Sequence, residues 1–199
     1  LKKSQDGNFL LNHIYLIKPK NFLEIGVFHG VTSRNVCELL YSIHGVNFKF
    51  TGIDLFENDT KKLNDEIAPQ TKFSNPLKNI YYQYIVKFDP YSYESVKKLL
   101  IKFKDNIKII KGNSNSTLKK INVSEFDYVF LDGGHKYETV KNDLECLTNV
   151  IKNKGTILCD DYNLMYAPGI KKGIDEYINI NNFNLKILND RFAEITSKS

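Results

Sequence analysis

The sequence predicts an α/β fold: a seven-stranded, mostly parallel sheet with helices on both faces. Three observations predict it. Short apolar strands alternate with amphipathic helices along most of the chain. A glycine-bearing turn, Glu24-x-Gly26-x-x-x-Gly30, carries the first strand into a helix. Two short strands around Asn189-Asp190 close the chain as an antiparallel pair at the end of an otherwise parallel sheet.

The elements follow in order. Residues 8–18 place Phe9, Leu10, His13, Ile14 and Ile17 at helical spacing, which predicts a leading helix packed on the sheet edge. Residues 22–25 form strand one and 31–43 a helix; residues 48–53 form strand two, ending at Asp54. Residues 95–103 read as a helix, 107–110 as strand three and 126–131 as strand four. The helix over 137–151 sets Val140, Leu144, Leu147 and Val150 or Ile151 on one face. Strand five is 156–159, a helix follows over 169–178, and strands 185–188 and 191–196 end the sheet.

Between about 56 and 92 the pattern breaks. Pro69, Pro76 and Pro90 stand among Phe73, Tyr81, Tyr82, Tyr84, Phe88, Tyr91 and Tyr93, in a stretch too long for a routine connection. It reads as a lid or substrate-recognition insertion, the alternative being an oligomer contact or a helical ornament. With 199 residues, the chain is one domain, 1–199, carrying that insertion.

Composition narrows the class. An apolar share of 42% with mixed charge indicates a folded globule. The net charge of +5 comes from lysines spread along the chain, with Arg34 and Arg191 as the arginines. Neither an arginine cluster nor an aromatic-basic alternation is present, so a nucleic-acid partner is not expected. Cys37, Cys146 and Cys159 are odd in number, widely spaced and set in apolar segments, which predicts buried free thiols and a reducing, cytoplasmic compartment. No segment reaches the ~18–20 apolar residues of a membrane span and no signal-peptide pattern opens the sequence given, so no membrane partner is expected. Homo-oligomerisation is left open.

Ligands of open α/β sheets lie beyond the carboxyl ends of the strands. The residues there are Glu24, Gly26, His29 and Gly30 after strand one, with Thr32 and Ser33 expected to cap the helix and leave its amides facing the site. Asp54 ends strand two, where two carboxylate oxygens suit two ribose hydroxyls; the alternative is a helix cap. Asn113 and Ser114 follow strand three, Asp132-Gly-Gly-His135 strand four, and Asp160-Asp161 strand five. Three crowded carboxylates, Asp132, Asp160 and Asp161, raise one another's pKa unless a cation lies among them, and oxygen-only ligands suit Mg²⁺ or another hard divalent ion. Otherwise Asp161 caps the next turn and Asp132 touches only the cofactor. His135 reads as a general base, or as a polar residue at a helix start. His29 shapes the pocket; His13 and His44 receive no role.

Residues 22–30, Thr51-Gly-Ile-Asp54, Tyr128-Val-Phe-Leu-Asp-Gly-Gly-His135 and Gly155-Thr-Ile-Leu-Cys-Asp-Asp161 together resemble the motifs of class I S-adenosylmethionine-dependent methyltransferases. Within that class the Asp-Gly-x-His pattern is similar to macrocin-type sugar O-methyltransferases, and distantly to catechol O-methyltransferases. The resemblance implies a Rossmann-like sheet in the order 3-2-1-4-5-7-6, the last strand antiparallel. It implies that Glu24, Gly26, His29, Gly30, Thr32, Ser33, Asp54, Asn113, Ser114 and Asp132 hold S-adenosylmethionine. It also implies that Asp132, Asp160 and Asp161 fall on metal-ligand positions, and that His135 falls where the catechol enzymes carry a catalytic lysine. The pattern departs from the catechol group at Asp161, where that group has Asn. The motif of base-methylating enzymes, Asn or Asp before Pro-Pro and an aromatic, is absent.

The implied function is divalent-metal-assisted O-methylation of a hydroxyl on a sugar, glycan or small natural product, with His135 and Asp132 as the catalytic pair. Two alternatives belong to other classes. An aminopropyl transferase on the same fold needs an acidic amine pocket and no metal. A non-catalytic module binds the cofactor and forms no product.

Overall fold

The computed structural model describes residues 4–56, 77, 89 and 91–198. Most of the expected insertion at 56–92 lies outside these residues. The described elements are α1 (Ser4–Ile17), β1 (Asn21–Ile25), α2 (Val31–His44), β2 (Lys49–Asp54), α3 (Tyr93–Leu99), β3 (Ile107–Lys111) and α4 (Ser114–Thr117), then β4 (Tyr128–Leu131), α5 (Tyr137–Lys152), β5 (Thr156–Cys159), α6 (Pro168–Asn181), β6 (Asn184–Leu188) and β7 (Phe192–Thr196). The sheet runs β3-β2-β1-β4-β5-β7-β6, the predicted order. Its first five strands are parallel, while β7 runs antiparallel to both β5 and β6.

The period of two in the strands builds two cores. In β4, Tyr128 and Phe130 face one side and Val129 and Leu131 the other. Phe22 and Phe50 join the first face, against Leu10 and Ile14 of α1, Val36, Cys37 and Leu40 of α2 and Val96 of α3. Leu23, Ile25 and Ile157 join the second, against Leu144, Leu147 and Val150 of α5 and Ile170 and Ile174 of α6. Each fully buried side chain of this size contributes about 1.5–3 kcal/mol, so two dry cores clamp the sheet and hold the strand ends rigidly.

Boundaries moved for local reasons. Strand four starts two residues later than expected, because the Asp127 carboxylate accepts the amides of Lys20 and Asn21 (3.0 and 2.6 Å) and ties that residue across to β1. The helix expected over 95–103 is α3 followed by a 3₁₀ turn, Ile101–Phe103, with Ser92 capping α3 through the Ser95 amide. Of the three free cysteines Cys37 and Cys159 are buried; Cys146 is only half-buried, since it lies at the margin of the α5 apolar face. His13 joins α1 to the sheet, its ring nitrogens 2.8 Å from the Tyr128 hydroxyl and 2.9 Å from Glu194 Oε1. Among the described residues no helix is long and apolar enough to cross a membrane.

The Asn189-Asp190 turn sets the register of β6 against β7. Both residues have φ of 51°, the left-handed pair at the centre of a tight turn that the Arg191 amide closes on the Leu188 carbonyl. In the separate pairing of β7 with β5, Ala193 lies opposite Cys159, so Arg191, just ahead of β7, lies past the carboxyl end of β5.

Candidate active site

The glycine turn is shaped by one close approach. Gly26 has φ of 96°, and a Cβ there would lie 1.8 Å from the Asp132 carbonyl oxygen. The ends of β1 and β4 therefore meet backbone to backbone, which only glycine permits. Gly30, in the left-handed region with φ of 74°, is the N-cap of α2 and makes no side-chain cap. This corrects the expectation that Thr32 or Ser33 caps the helix: both lie inside its first turn. The Ser33 side chain is buried and its hydroxyl donates to Glu24 Oε2. Glu24 Oε1 is buried without a partner. Burial pushes the Glu24 carboxyl up to about 8, against the opposing pull of the Ser33 hydroxyl. A buried acid with one open oxygen suits a ligand's ammonium or hydrogen-bond donor.

Asp54 faces that turn. Its Oδ2 accepts the Phe28 amide at 2.8 Å, and its Oδ1 accepts the Phe56 amide at 2.8 Å and the Tyr91 hydroxyl at 2.9 Å. A carboxylate offers about four lone-pair positions, so this arrangement leaves about one for a ligand. The His29 ring stacks on Phe28 at 3.8 Å, and its buried Nε2 has no partner. Burial holds the His29 imidazole below its ordinary pKa, which favours the neutral ring beside the turn. One strand further out, Asn113 caps α4 through the Asn115 amide, and the Ser114 hydroxyl donates to Asp143 of α5 at 3.0 Å. Asp143 is itself buried and pushed up to about 7 by that burial.

Asp132, Asp160 and Asp161 come together as the sequence suggested, each with one oxygen within 4.8 Å of the others. His135 Nε2 lies 3.8 Å from Asp161 Oδ2, both side chains being 19% exposed. These residues and Gly133, Gly134 and Ile170 line a small cavity of about 10 Å³. Burial, then the charges of Asp160 and Asp161, push the Asp132 carboxyl well up. Burial raises Asp160 as well, against the hydrogen bond from Arg191. Burial also acts on Asp161, but His135 and Arg191 outweigh it and hold that carboxyl low. Asp161 has φ of 58°, a left-handed backbone that turns its side chain toward His135 and Arg191 while its carbonyl accepts the Leu164 amide.

The oxygen-only trio fits a hard divalent ion in donor type, because an ion bonding oxygens at about 2.0–2.6 Å spans roughly 4–5 Å between ligands. Arg191, which the sequence reading passed over, already pairs with two of the three. Tyr91 was likewise missed as a partner of Asp54. A strand opening just after the Asn-Asp turn, antiparallel to strand five, was the available signal for Arg191; nothing local marks Tyr91. A larger open groove of about 720 Å³ runs along α6 between Tyr162 and Ile180 and shares no lining residue with the carboxylate cavity.

A family model described as a methyltransferase domain matches residues 23–162. Solved structures share the fold. The S-adenosylhomocysteine-bound methyltransferase of Podospora anserina is 17% identical with a TM-score of 0.67, over 100% of this chain and 80% of that one. The apo TDP-rhamnose 3'-O-methyltransferase of calicheamicin biosynthesis is 14% identical with a TM-score of 0.66, over 100% and 82%. The O-methyltransferase of tomaymycin synthesis from Streptomyces achromogenes, in complex with S-adenosylmethionine, is 12% identical with a TM-score of 0.64, over 100% and 82%. No curated protein matches.

Proposed function

The chain belongs to the methyltransferase domain family, and from that premise we propose that it moves a methyl group from S-adenosylmethionine to a hydroxyl of a sugar, glycan or small natural product. The observation that carries the reading is the rim itself: Glu24 near the end of β1, Asp54 at the end of β2 and the Asp132–His135 segment after β4 lie on adjacent strands around the Gly26–Gly30 turn, and Glu24 keeps one buried oxygen unpartnered.

In this reading Gly26 and Gly30 admit the cofactor's amino-acid portion to main chain. Glu24 receives its ammonium, Asp54 its ribose, and Asn113 or Ser114 its adenine side, while His29, Thr32 and Ser33 shape the turn. When bound, S-adenosylmethionine supplies an electrophilic methyl carbon whose bond to sulfur breaks in line, the electron pair leaving on a neutral thioether. His135 takes the acceptor hydroxyl's proton as the oxygen bonds to that carbon, since an imidazole exchanges protons near neutral pH. Asp161, held ionised by His135 and Arg191, steadies the imidazolium that results. Without an ion, Asp132, pushed up by burial and its acidic neighbours, would donate a hydrogen bond to the acceptor; with one, it would bind the ion as a carboxylate. Asp132, Asp160 and Asp161 would hold Mg²⁺ or a similar ion, which would lower the hydroxyl's pKa. The free thiols support a reducing, cytoplasmic setting.

The test is calorimetric titration with S-adenosylmethionine, with Mg²⁺ and after chelation, followed by product detection over a panel of sugars and phenols. Micromolar binding with methylated product supports the proposal. Binding without product across the panel favours a non-catalytic module, and no binding overturns the reading.

A further inference from the structure

Arg191 makes four charged contacts. Its Nε reaches Asp160 Oδ1 at 2.5 Å and its Nη2 reaches Asp160 Oδ2 at 2.8 Å; Nη2 also reaches Asp161 Oδ1 at 2.9 Å, and Nη1 reaches Asp6 Oδ2 at 3.0 Å. The fork against Asp160 is bidentate, the geometry in which guanidinium holds carboxylate best. Both Asp160 oxygens are engaged, and Oδ1 also accepts the Asp161 amide at 2.8 Å. Yet Asp160 and Asp161 are two of the three carboxylates that converge within 4.8 Å. The guanidinium and a divalent ion draw on the same oxygens.

The two sides of this pair differ in freedom. The Asp160 side chain is 1% exposed and cannot move to a new partner in solvent, whereas the Arg191 side chain is 28% exposed. Asp6, on α1 and outside the trio, gives a withdrawn guanidinium a partner that an ion does not need. We infer that Arg191 is the resident counter-ion of the Asp160–Asp161 pair and that a divalent cation enters only in exchange for it, so Arg191 sets the metal affinity of the site. The inference rests on the metal reading proposed above.

The experiment uses Mn²⁺ alone, titrated into the chain and followed by the electron paramagnetic resonance of the free ion. Arg191→Met keeps an aliphatic stem against the Phe192 ring, over which the guanidinium carbon lies at 5.6 Å, and removes the competing charge. It should bind Mn²⁺ at least about tenfold more tightly than wild type, and adding Asp160→Asn should erase that gain. Equal affinity in wild type and Arg191→Met, both weakened by Asp160→Asn, would leave the metal site standing and overturn the exchange. Absence of binding in every variant would overturn the metal reading itself, and the inference with it. Should Arg191→Met fail to fold by circular dichroism, Arg191→Lys decides: a single ammonium cannot span both carboxylates, so affinity should rise about threefold or more, and an unchanged affinity refutes the exchange.

Discussion

Replacing Glu24 by Gln should reduce the stability the protein loses between pH 5.5 and 7.5. In the folded chain burial pushes this carboxyl from an ordinary value of 4.5 to about 8. The folded state therefore holds the proton more tightly than the unfolded state does. Its contribution is fully present below about 4.5 and is lost as pH rises through about 8. At about 1.4 kcal/mol per pH unit, the total is about 5 kcal/mol, and about 2.5 kcal/mol of it disappears between pH 5.5 and 7.5. Gln keeps the shape, stays neutral, and can still accept the Ser33 hydroxyl, so the variant lacks this loss. The assay is urea denaturation of ligand-free wild type and variant at several pH values. Asp143 and Asp160 titrate in both proteins and largely cancel from the difference, whereas Asp132, which the Glu24 charge also pushes up, adds a smaller change of its own. Parallel stability curves, or a difference that changes by less than about 0.5 kcal/mol over that window, would refute the buried, proton-holding Glu24.

Other outcomes follow from the same geometry. Gly26→Ala should cost about 3 kcal/mol or more and lower the melting temperature by roughly 6–12 °C, because the new Cβ meets the Asp132 carbonyl and φ is left-handed; thermal denaturation within about 2 °C of wild type would contradict it. His135→Ala should lower turnover by about two to four powers of ten while cofactor affinity by calorimetry stays within about twofold, and full turnover would remove it as the base. Asp54→Ala should weaken S-adenosylmethionine binding by about 10- to 100-fold, the worth of a hydrogen bond to a charged acceptor, and unchanged affinity would place the ribose elsewhere. His13→Ala leaves the Tyr128 hydroxyl without its ring partner beneath α1 and should cost about 1–3 kcal/mol in urea, with methyl transfer kept.

Adjacent residues on one strand or turn were legible, because their positions follow from backbone geometry alone. The apolar runs at 50–53, 128–131 and 156–159 are each followed by an aspartate, the run at 22–25 carries Glu24 next to its end, and parallel pairing then brings those ends to one rim. Asp132, Asp160 and Asp161 were found in this way, as were Glu24 and Asp54. The helix start at Val31 was also legible, but not its cap. Ser33 is a capping residue type, and only the buried Glu24 beneath it redirects its hydroxyl from the backbone to a side chain.

What the sequence by itself determined is the alternation of strands and helices, the glycine turn and the acidic carboxyl edge, all set by local periodicity and spacing. What only the tertiary structure decided is who neutralises that edge. Arg191 is 31 residues from Asp160, and no spacing rule links them. The left-handed Asn189-Asp190 turn reverses the chain, β7 pairs antiparallel with β5, and the start of one strand lands at the end of the other. In the same way Tyr91 reaches Asp54 across 37 residues. Such contacts depend on which strand ends share a rim, and that is a property of the assembled sheet, because charges pair through space rather than along the chain.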